Sequence, residues 1–285
     1  MIDQKDEIEE DLLTARAKPK VESLLQAVAR APQSLLMLDY DGTLAPFRED
    51  PGQAFPYPGI SPLLQEIVRV SKTRVVIISG RDAKDVISLL GIEPHPEVWG
   101  LHGLQRIKPD GSADLAPVDE LAVEALGAAD NWLRYQHLRH TAEFKTGSIA
   151  VHWRGLDEIE AESIRGRVLL GWAPIASRSH MNLLEFDGGI EIRATETDKG
   201  HAVRTVMSEM DPGTPTAYLG DDNTDEHAFQ AVNGRGLTVL VRPGWRQTAA
   251  QLWISPPDEV LSLLTRWLGA CLERDGSRSA KAVNV

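Results

Sequence analysis

Short apolar runs that end abruptly on a polar residue constrain this chain more than any other feature. Leu35-Leu36-Met37-Leu38 ends on Asp39, Arg74-Val75-Val76-Ile77-Ile78 on Ser79, and Thr216-Ala217-Tyr218-Leu219-Gly220 on Asp221. Runs this short and this continuously apolar fit strands buried on both faces. Val98–Leu101 and Leu237–Val241 follow the same pattern, and helical patterns over 63–70 and 82–90 separate the early strands. Strand alternating with helix predicts a Rossmann-like parallel α/β sheet. In such a sheet the residues just past the strands collect on one edge, where ligands bind. Asp39, Asp41, Ser79 and Asp221 are therefore expected on one edge, with Asp39 and Asp41 on one face of the extended chain and Tyr40 turned away.

The middle of the chain changes character. A hairpin around Pro109-Asp110-Gly111 spans 104–118, a helix 119–137, an alternating strand 148–154 and a helix 157–170. Strands 183–186 and 189–193 then flank the turn Asp187-Gly188-Gly189. Alternating faces imply a small α+β unit inserted into the first. The expected division is a helical arm over 1–31, a discontinuous core over 32–105 and 194–270, an insert over 106–193, and a tail over 274–285 without order. The arm carries an apolar stripe interrupted by Pro19, suited to packing on the core or contacting a partner.

Composition narrows the function. A net charge of -12 argues against general nucleic-acid binding but not against a small anionic substrate, because a few placed cations set the local field. No apolar run approaches the roughly 20 residues that span a bilayer, so no membrane association is expected. The N-terminus Met1-Ile2-Asp3-Gln4-Lys5-Asp6-Glu7 is polar and acidic, unlike a secretory signal. Cys271 is the only cysteine, which excludes an intramolecular disulfide and fits a reducing cytoplasm.

The acids carry the chemical signal. Asp39-Tyr40-Asp41-Gly42-Thr43 and Gly220-Asp221-Asp222-Asn223-Thr224-Asp225-Glu226 both place carboxylates at strand ends, where they repel one another unless a cation intervenes. A Mg2+ site that handles a phosphate is the economical reading. An EF-hand also opens on alternating acids, but here a strand-like run precedes them and the twelfth position is not Glu. Singly, Asp-Gly and Ser-Gly pairs are turns and a lone Lys is a surface residue. Together they supply a nucleophilic carboxylate, a neighbouring acid/base, the Ser79 hydroxyl as a donor to phosphate, and Lys199 at a helix start as a compact positive charge.

The ordered set Asp39-Tyr40-Asp41-Gly42-Thr43, Ser79-Gly80-Arg81, Lys199-Gly200 and Gly220–Asp225 resembles the haloacid-dehalogenase-type phosphohydrolases. Gly100-Leu101-His102-Gly103, Glu143-Phe144-Lys145 and His152-Trp153-Arg154 make it most similar to the trehalose-6-phosphate phosphatases among them. The resemblance covers nearly all of 32–270 and implies a Mg2+-dependent phosphatase hydrolysing trehalose 6-phosphate; the alternatives are another sugar phosphate (glucosylglycerol or sucrose phosphate), a phosphomutase or an inactive regulatory subunit. It implies Asp39 as nucleophile, Asp41 as general acid/base, and Ser79 and Lys199 as holders of the phosphate, with Gly80 and Arg81 beside them. Mg2+ would be bound by the Asp39 side chain, the Asp41 backbone carbonyl and Asp221, with Asp222 and Asp225 as acidic neighbours. The insert would be a mobile cap closing over the sugar, its hydroxyls read by Glu143 and Lys145 and also by His102, Arg154 and Glu191. Two departures stand out. Ala194 replaces an expected Pro after Glu191-Ile192-Arg193, and the arm 1–31 lies outside the resemblance, so a stand-alone phosphatase is expected.

Overall fold

The computed structural model describes residues 19–70, 72–186, 188–194 and 198–282, with side chains up to Glu273. Its strands are β1 (Ser34–Leu38), β2 (Thr73–Ile78), β3 (Glu97–Gly100), β4 (Gln105–Ile107), β5 (Ala113–Leu115), β6 (Ala142–Lys145), β7 (Ser148–His152), β8 (Asn182–Phe186), β9 (Gly189–Arg193), β10 (Thr216–Gly220), β11 (Leu237–Val241) and β12 (Leu252–Ile254). The helices are α1 (19–30), α2 (Ile60–Val70), α3 (Ala83–Leu90), α4 (Glu120–Tyr135), α5 (Glu158–Arg178), α6 (Lys199–Ser208), α7 (Glu226–Val232) and α8 (Asp258–Ala282). The chain falls into two compact units: one runs up to Ala113 and resumes at Lys199, and the other is Asp114–Asp198.

The first unit is built on an 8-stranded sheet in the order β12-β11-β10-β1-β2-β3-β4-β5. Pairing is parallel from β12 to β3, and β4 joins β3 antiparallel. Alternate residues of the continuous apolar strands serve two cores, as burial on both faces requires. Leu36, Leu38, Val75 and Ile77 face a cluster containing α1, α2, α3 and α8, while Leu35, Met37, Val76 and Ile78 face α6 and α7. β1 is followed in sequence by β2 on one side, whereas β10 flanks it on the other. The crevice at such a change of direction, past the carboxyl ends of the strands, is where open α/β sheets bind ligands.

The second unit is a 4-stranded antiparallel sheet, β6-β7-β9-β8, with α4 and α5 on one face. Ile149, Val151, Ile190 and Ile192 point into that core with Ile164, Val168 and the fully buried Trp172. The side chains that alternate with them in β7 and β9 therefore lie on the opposite face.

Several expectations shift. The hairpin β4–β5 extends the large sheet instead of opening the insert, because β4 pairs with β3. α2 starts at Ile60, since Pro62 in a first turn sacrifices no intrahelical bond. α5 continues past residue 170 through Pro174 to Arg178, carried by the buried stripe Ile164, Val168, Trp172 and Ala176. α8 is helical to Ala282 where order was not expected, and Val260, Leu264, Trp267 and Cys271 anchor its first part in the core. In the arm, Val21, Leu25 and Val28 of α1 are buried in the core and Glu22 pairs with Arg266 of α8; residues 3–18 of the expected helix, and Asp187 of the expected turn, lie outside the described residues. Among the described residues no helix is long and apolar enough to cross a membrane.

Candidate active site

The carboxyl ends of β1, β2 and β10 are adjacent, and each delivers one polar residue. Asp39 follows β1, and its amide continues the parallel ladder by donating to Leu219 O at 2.8 Å. Its side chain is 3% exposed. Oδ1 accepts from Lys199 Nζ at 2.7 Å and Oδ2 from Thr43 Oγ1 at 3.2 Å. Tyr40 turns into the core, where its hydroxyl donates to Ala54 O at 2.8 Å. Gly42 then reverses the chain at φ +80°, and its amide donates to Ala45 O at 2.7 Å. A Cβ on Gly42 would lie 2.1 Å from Asp221 Oδ2, so glycine is required both for the turn and for the approach of that carboxylate.

Lys199 opens α6 and is 3% exposed. Its ammonium bridges Asp39 and Asp225, donating to Asp225 Oδ1 at 2.8 Å. Tyr218 hydroxyl donates to the same oxygen, and Asp225 Oδ2 accepts the backbone amides of Asp221 at 3.1 Å and Asp222 at 3.0 Å. Both oxygens of Asp225 are thus committed to protein donors, and its role is to hold Lys199 and the turn after β10. Asp222 caps that same turn through the Asn223 amide at 2.7 Å.

The electrostatics follow from burial. Burial pushes the Asp39 carboxyl up from 3.8 to about 7, against the pull of Lys199 and with the help of Asp225. Burial, then Asp39 and Asp225, push Asp221 well above the usual carboxylate range. Burial works against the Lys199 charge, but Asp225 and Asp39 outweigh it and raise the pKa. One ammonium faces three buried carboxylates, of Asp39, Asp221 and Asp225, that each bring an oxygen within 4.8 Å of the others. A buried, net-negative set of hard oxygen donors fits Mg2+.

Ser79, at 1% exposure, follows β2. Its carbonyl accepts from the His102 amide at 3.0 Å and its Oγ from the Arg81 amide at 3.2 Å. A Cβ on Gly80 would meet His102 Nε2 at 2.5 Å, so the imidazole lies directly on this turn. Leu101 and His102 both adopt left-handed backbone, at φ +51° and +55°; such strain in residues other than glycine concentrates at functional sites. Arg81, expected beside the phosphate, forms a two-armed pair with Asp41, Nε to Oδ2 and Nη2 to Oδ1, both at 2.6 Å.

In the second unit, register places Glu143 opposite Ala150 and Ala150 opposite Glu191, on the face of the sheet away from α4 and α5. The next row is Lys145, Ser148 and Arg193. Glu143 accepts from Lys145 Nζ at 3.2 Å and lies 3.1 Å from His152 Nε2. Burial would raise its pKa, but His152 and Lys145 prevail and hold it down to about 2. Glu191 and Arg193 are both 3% exposed and stand 3.9 Å apart at their nearest charged atoms. The guanidinium nitrogens of Arg193 make no hydrogen bond among the described residues, and burial lowers its pKa. Sequence reasoning passed over Arg193, although its spacing from Glu191 repeats that of Lys145 from Glu143. Arg154 lies apart from these rows, with its Nε 3.0 Å from where a Cβ on Gly188 would be. Ala194, standing where Pro was expected, donates its amide to Gly147 O at 3.0 Å, a bond that Pro could not make.

The pattern of the family described as Trehalose-phosphatase matches residues 37–250, a span that contains all of these positions. The chain belongs to the trehalose-phosphatase family. Trehalose-phosphate phosphatase of Mycobacterium tuberculosis (strain H37Rv) is 32% identical over 256 residues, covering 84% of this chain and 62% of that protein. The Mycobacterium leprae protein of the same name is 32% identical over 259 residues, covering 83% of this chain and 58% of its own. The chain thus spans about three-fifths of the length of these relatives. Among solved structures, the C-terminal domain of Candida albicans trehalose-6-phosphate phosphatase superimposes with a TM-score of 0.74 at 22% identity, covering 87% of this chain and 96% of that one. At that identity the likeness shows that the trehalose-phosphatase chain shares the fold.

Proposed function

We propose that the chain hydrolyses trehalose 6-phosphate to trehalose and inorganic phosphate through a covalent intermediate on Asp39. The observation that carries this reading is the placement of Asp39 at the end of the central strand, buried between Lys199 and Asp221, within a chain of the trehalose-phosphatase family. The Asp39 carboxylate attacks phosphorus, and the bond to the sugar oxygen breaks as Asp41 gives that oxygen a proton. Asp41 then takes a proton from the water that attacks the aspartyl phosphate, which releases phosphate and restores Asp39. The Ser79 hydroxyl, the Gly80 backbone amide and the Lys199 ammonium hold the phosphoryl oxygens through both steps. Asp225 and Tyr218 keep Lys199 at its place.

Asp39, the Asp41 backbone carbonyl and Asp221 would hold Mg2+, whose contribution when bound is to neutralise charge on the phosphoryl group. A cation there also favours the ionised form of Asp39 that the attack requires. Sugar hydroxyls are read by Glu143, Lys145 and Glu191, whose charges on the sheet face away from α4 and α5 supply donors and acceptors in register.

Phosphate release from trehalose 6-phosphate, sucrose 6-phosphate, glucosylglycerol phosphate and glucose 6-phosphate, with and without Mg2+, tests the reading. The expected result is the highest kcat/KM on trehalose 6-phosphate and its loss by roughly 100- to 1000-fold without the metal. Preference for another sugar phosphate would overturn the substrate and keep the chemistry; metal-independent turnover would overturn the chemistry.

A further inference from the structure

We propose that Arg81 is the positioning residue of the catalytic acid and acts on the reaction only through Asp41. The proposal rests on the reading of Asp41 as general acid/base given above. Both Asp41 oxygens are taken by Arg81, at 2.6 Å each, in the parallel two-bond geometry that only a guanidinium provides. A lysine ammonium is a point charge and cannot fix the plane of a carboxylate in this way.

Arg81 is itself held from several sides. Its third nitrogen, Nη1, donates to Pro51 O at 2.7 Å. Its guanidinium lies over the Tyr40 ring, 5.7 Å from the centroid, a distance at which cation and ring attract. Its amide donates to Ser79 Oγ at 3.2 Å, and its carbonyl accepts from the Leu101 amide at 2.8 Å. Tyr40, between the two catalytic acids in sequence, is tied by its hydroxyl to Ala54 O, so Arg81 and Tyr40 fasten the same 50–54 segment.

Asp41 needs such support more than Asp39 does. Asp39 is fixed by Lys199 and Thr43 in a nearly closed environment, whereas the Asp41 side chain is 23% exposed and sits in a turn. The fork of Arg81 selects one carboxylate orientation out of those the turn would allow. A residue with this role matters when the departing oxygen must be given a proton. It matters little when the leaving group departs as a stable anion.

That dependence separates positioning of the acid from contact with phosphate. The experiment compares the primary-alcohol phosphate that the unmodified protein hydrolyses fastest with p-nitrophenyl phosphate, in Arg81→Ala, Arg81→Lys, Asp41→Asn and the Asp41→Asn/Arg81→Ala double variant. The expected loss in kcat for Arg81→Ala is about 100-fold on the alkyl ester and under about 10-fold on the aryl ester, in line with the worth of general acid catalysis. Arg81→Lys should fall between, with the same preference for losing the alkyl ester, and it carries the test should the alanine variant not fold. The double variant should be no slower than Asp41→Asn alone. Equal losses on both esters, a raised KM with kcat kept, or losses that multiply in the double variant would overturn the proposal and make Arg81 a phosphate ligand. If Asp41→Asn itself loses both esters equally, the acid assignment fails and the Arg81 proposal falls with it.

Discussion

The end of β1 and the edge of β6-β7-β9-β8 at Glu143 and Lys145 are both charged, and they are built in opposite ways. Around Asp39 the carboxylates are buried; Asp39 accepts from Lys199, and burial pushes Asp39 and Asp221 toward protonation. At Glu143 the carboxylate is partly exposed and held ionised by Lys145 and His152. The first arrangement strengthens every electrostatic interaction and suits bond making at one atom. The second offers an array of donors and acceptors in strand register and suits recognition of a hydroxyl pattern. Under the proposed function, chemistry and recognition sit on different structural units of this chain, so substitutions should separate them.

The largest expected effect is that of Asp39→Asn, which removes the nucleophile while changing shape little. Turnover should fall at least about 1000-fold on every phosphate ester, sugar or not, with the thermal midpoint preserved or raised. An activity assay beside a thermal melt checks this. Residual turnover near that of the unmodified protein would dissolve the distinction between the two regions at once.

Chelation comes next. Three carboxylates that face one ammonium leave the first unit's site dependent on a cation, so EDTA should cost roughly 100- to 1000-fold in kcat/KM on sugar and aryl esters alike. Readdition of Mg2+ should restore activity, and Ca2+ should do so poorly because its shell is larger and looser. A loss confined to sugar esters would move the metal's role to recognition.

The smallest effect is on stability. In the metal-free protein Asp39 titrates near 7 against 3.8 when unfolded. Between those values the unfolded chain has released the proton that the folded chain still holds. Stability therefore falls as pH rises from about 4 to about 7 and levels off above. Asp39→Asn should flatten that part of the profile. Glu143 runs the other way: its pKa of about 2 contributes stability above the ordinary 4.5 that is lost as pH falls toward 2. Denaturation curves of the chelated protein and of Asp39→Asn and Glu143→Ala, taken across pH 3–8, show both signs.

Much of the first unit was legible because strand ends in a parallel sheet leave a local signature. An apolar run followed by Asp39, by Ser79 or by Asp221 is visible without knowing any long-range contact, and the adjacency of β1, β2 and β10 follows from topology. The partner of Arg81 was not legible: the residue follows Ser79-Gly80 at the presumed phosphate, and only folding brings it onto Asp41, forty positions earlier in the chain. The second unit was harder to read. Glu143 and Lys145 were named as candidates through resemblance, but Arg193 joins the row of Lys145 only through the register of β6, β7 and β9, which no single stretch of sequence encodes. The short β12 and the continuation of α5 through Pro174 were missed for a similar reason, since tertiary packing overrode local propensity there.

The central claim is that the two units divide the work, and the ratio of kcat/KM for trehalose 6-phosphate to that for p-nitrophenyl phosphate tests it most directly. In Glu143→Ala and Lys145→Ala that ratio should drop about 10- to 150-fold, the worth of a lost hydrogen bond to a charged group, while the aryl ester alone is hydrolysed nearly as before. In Asp39→Asn both values should collapse together. Equal losses on the two esters in the Glu143 and Lys145 variants, or no loss on either, would contradict the division.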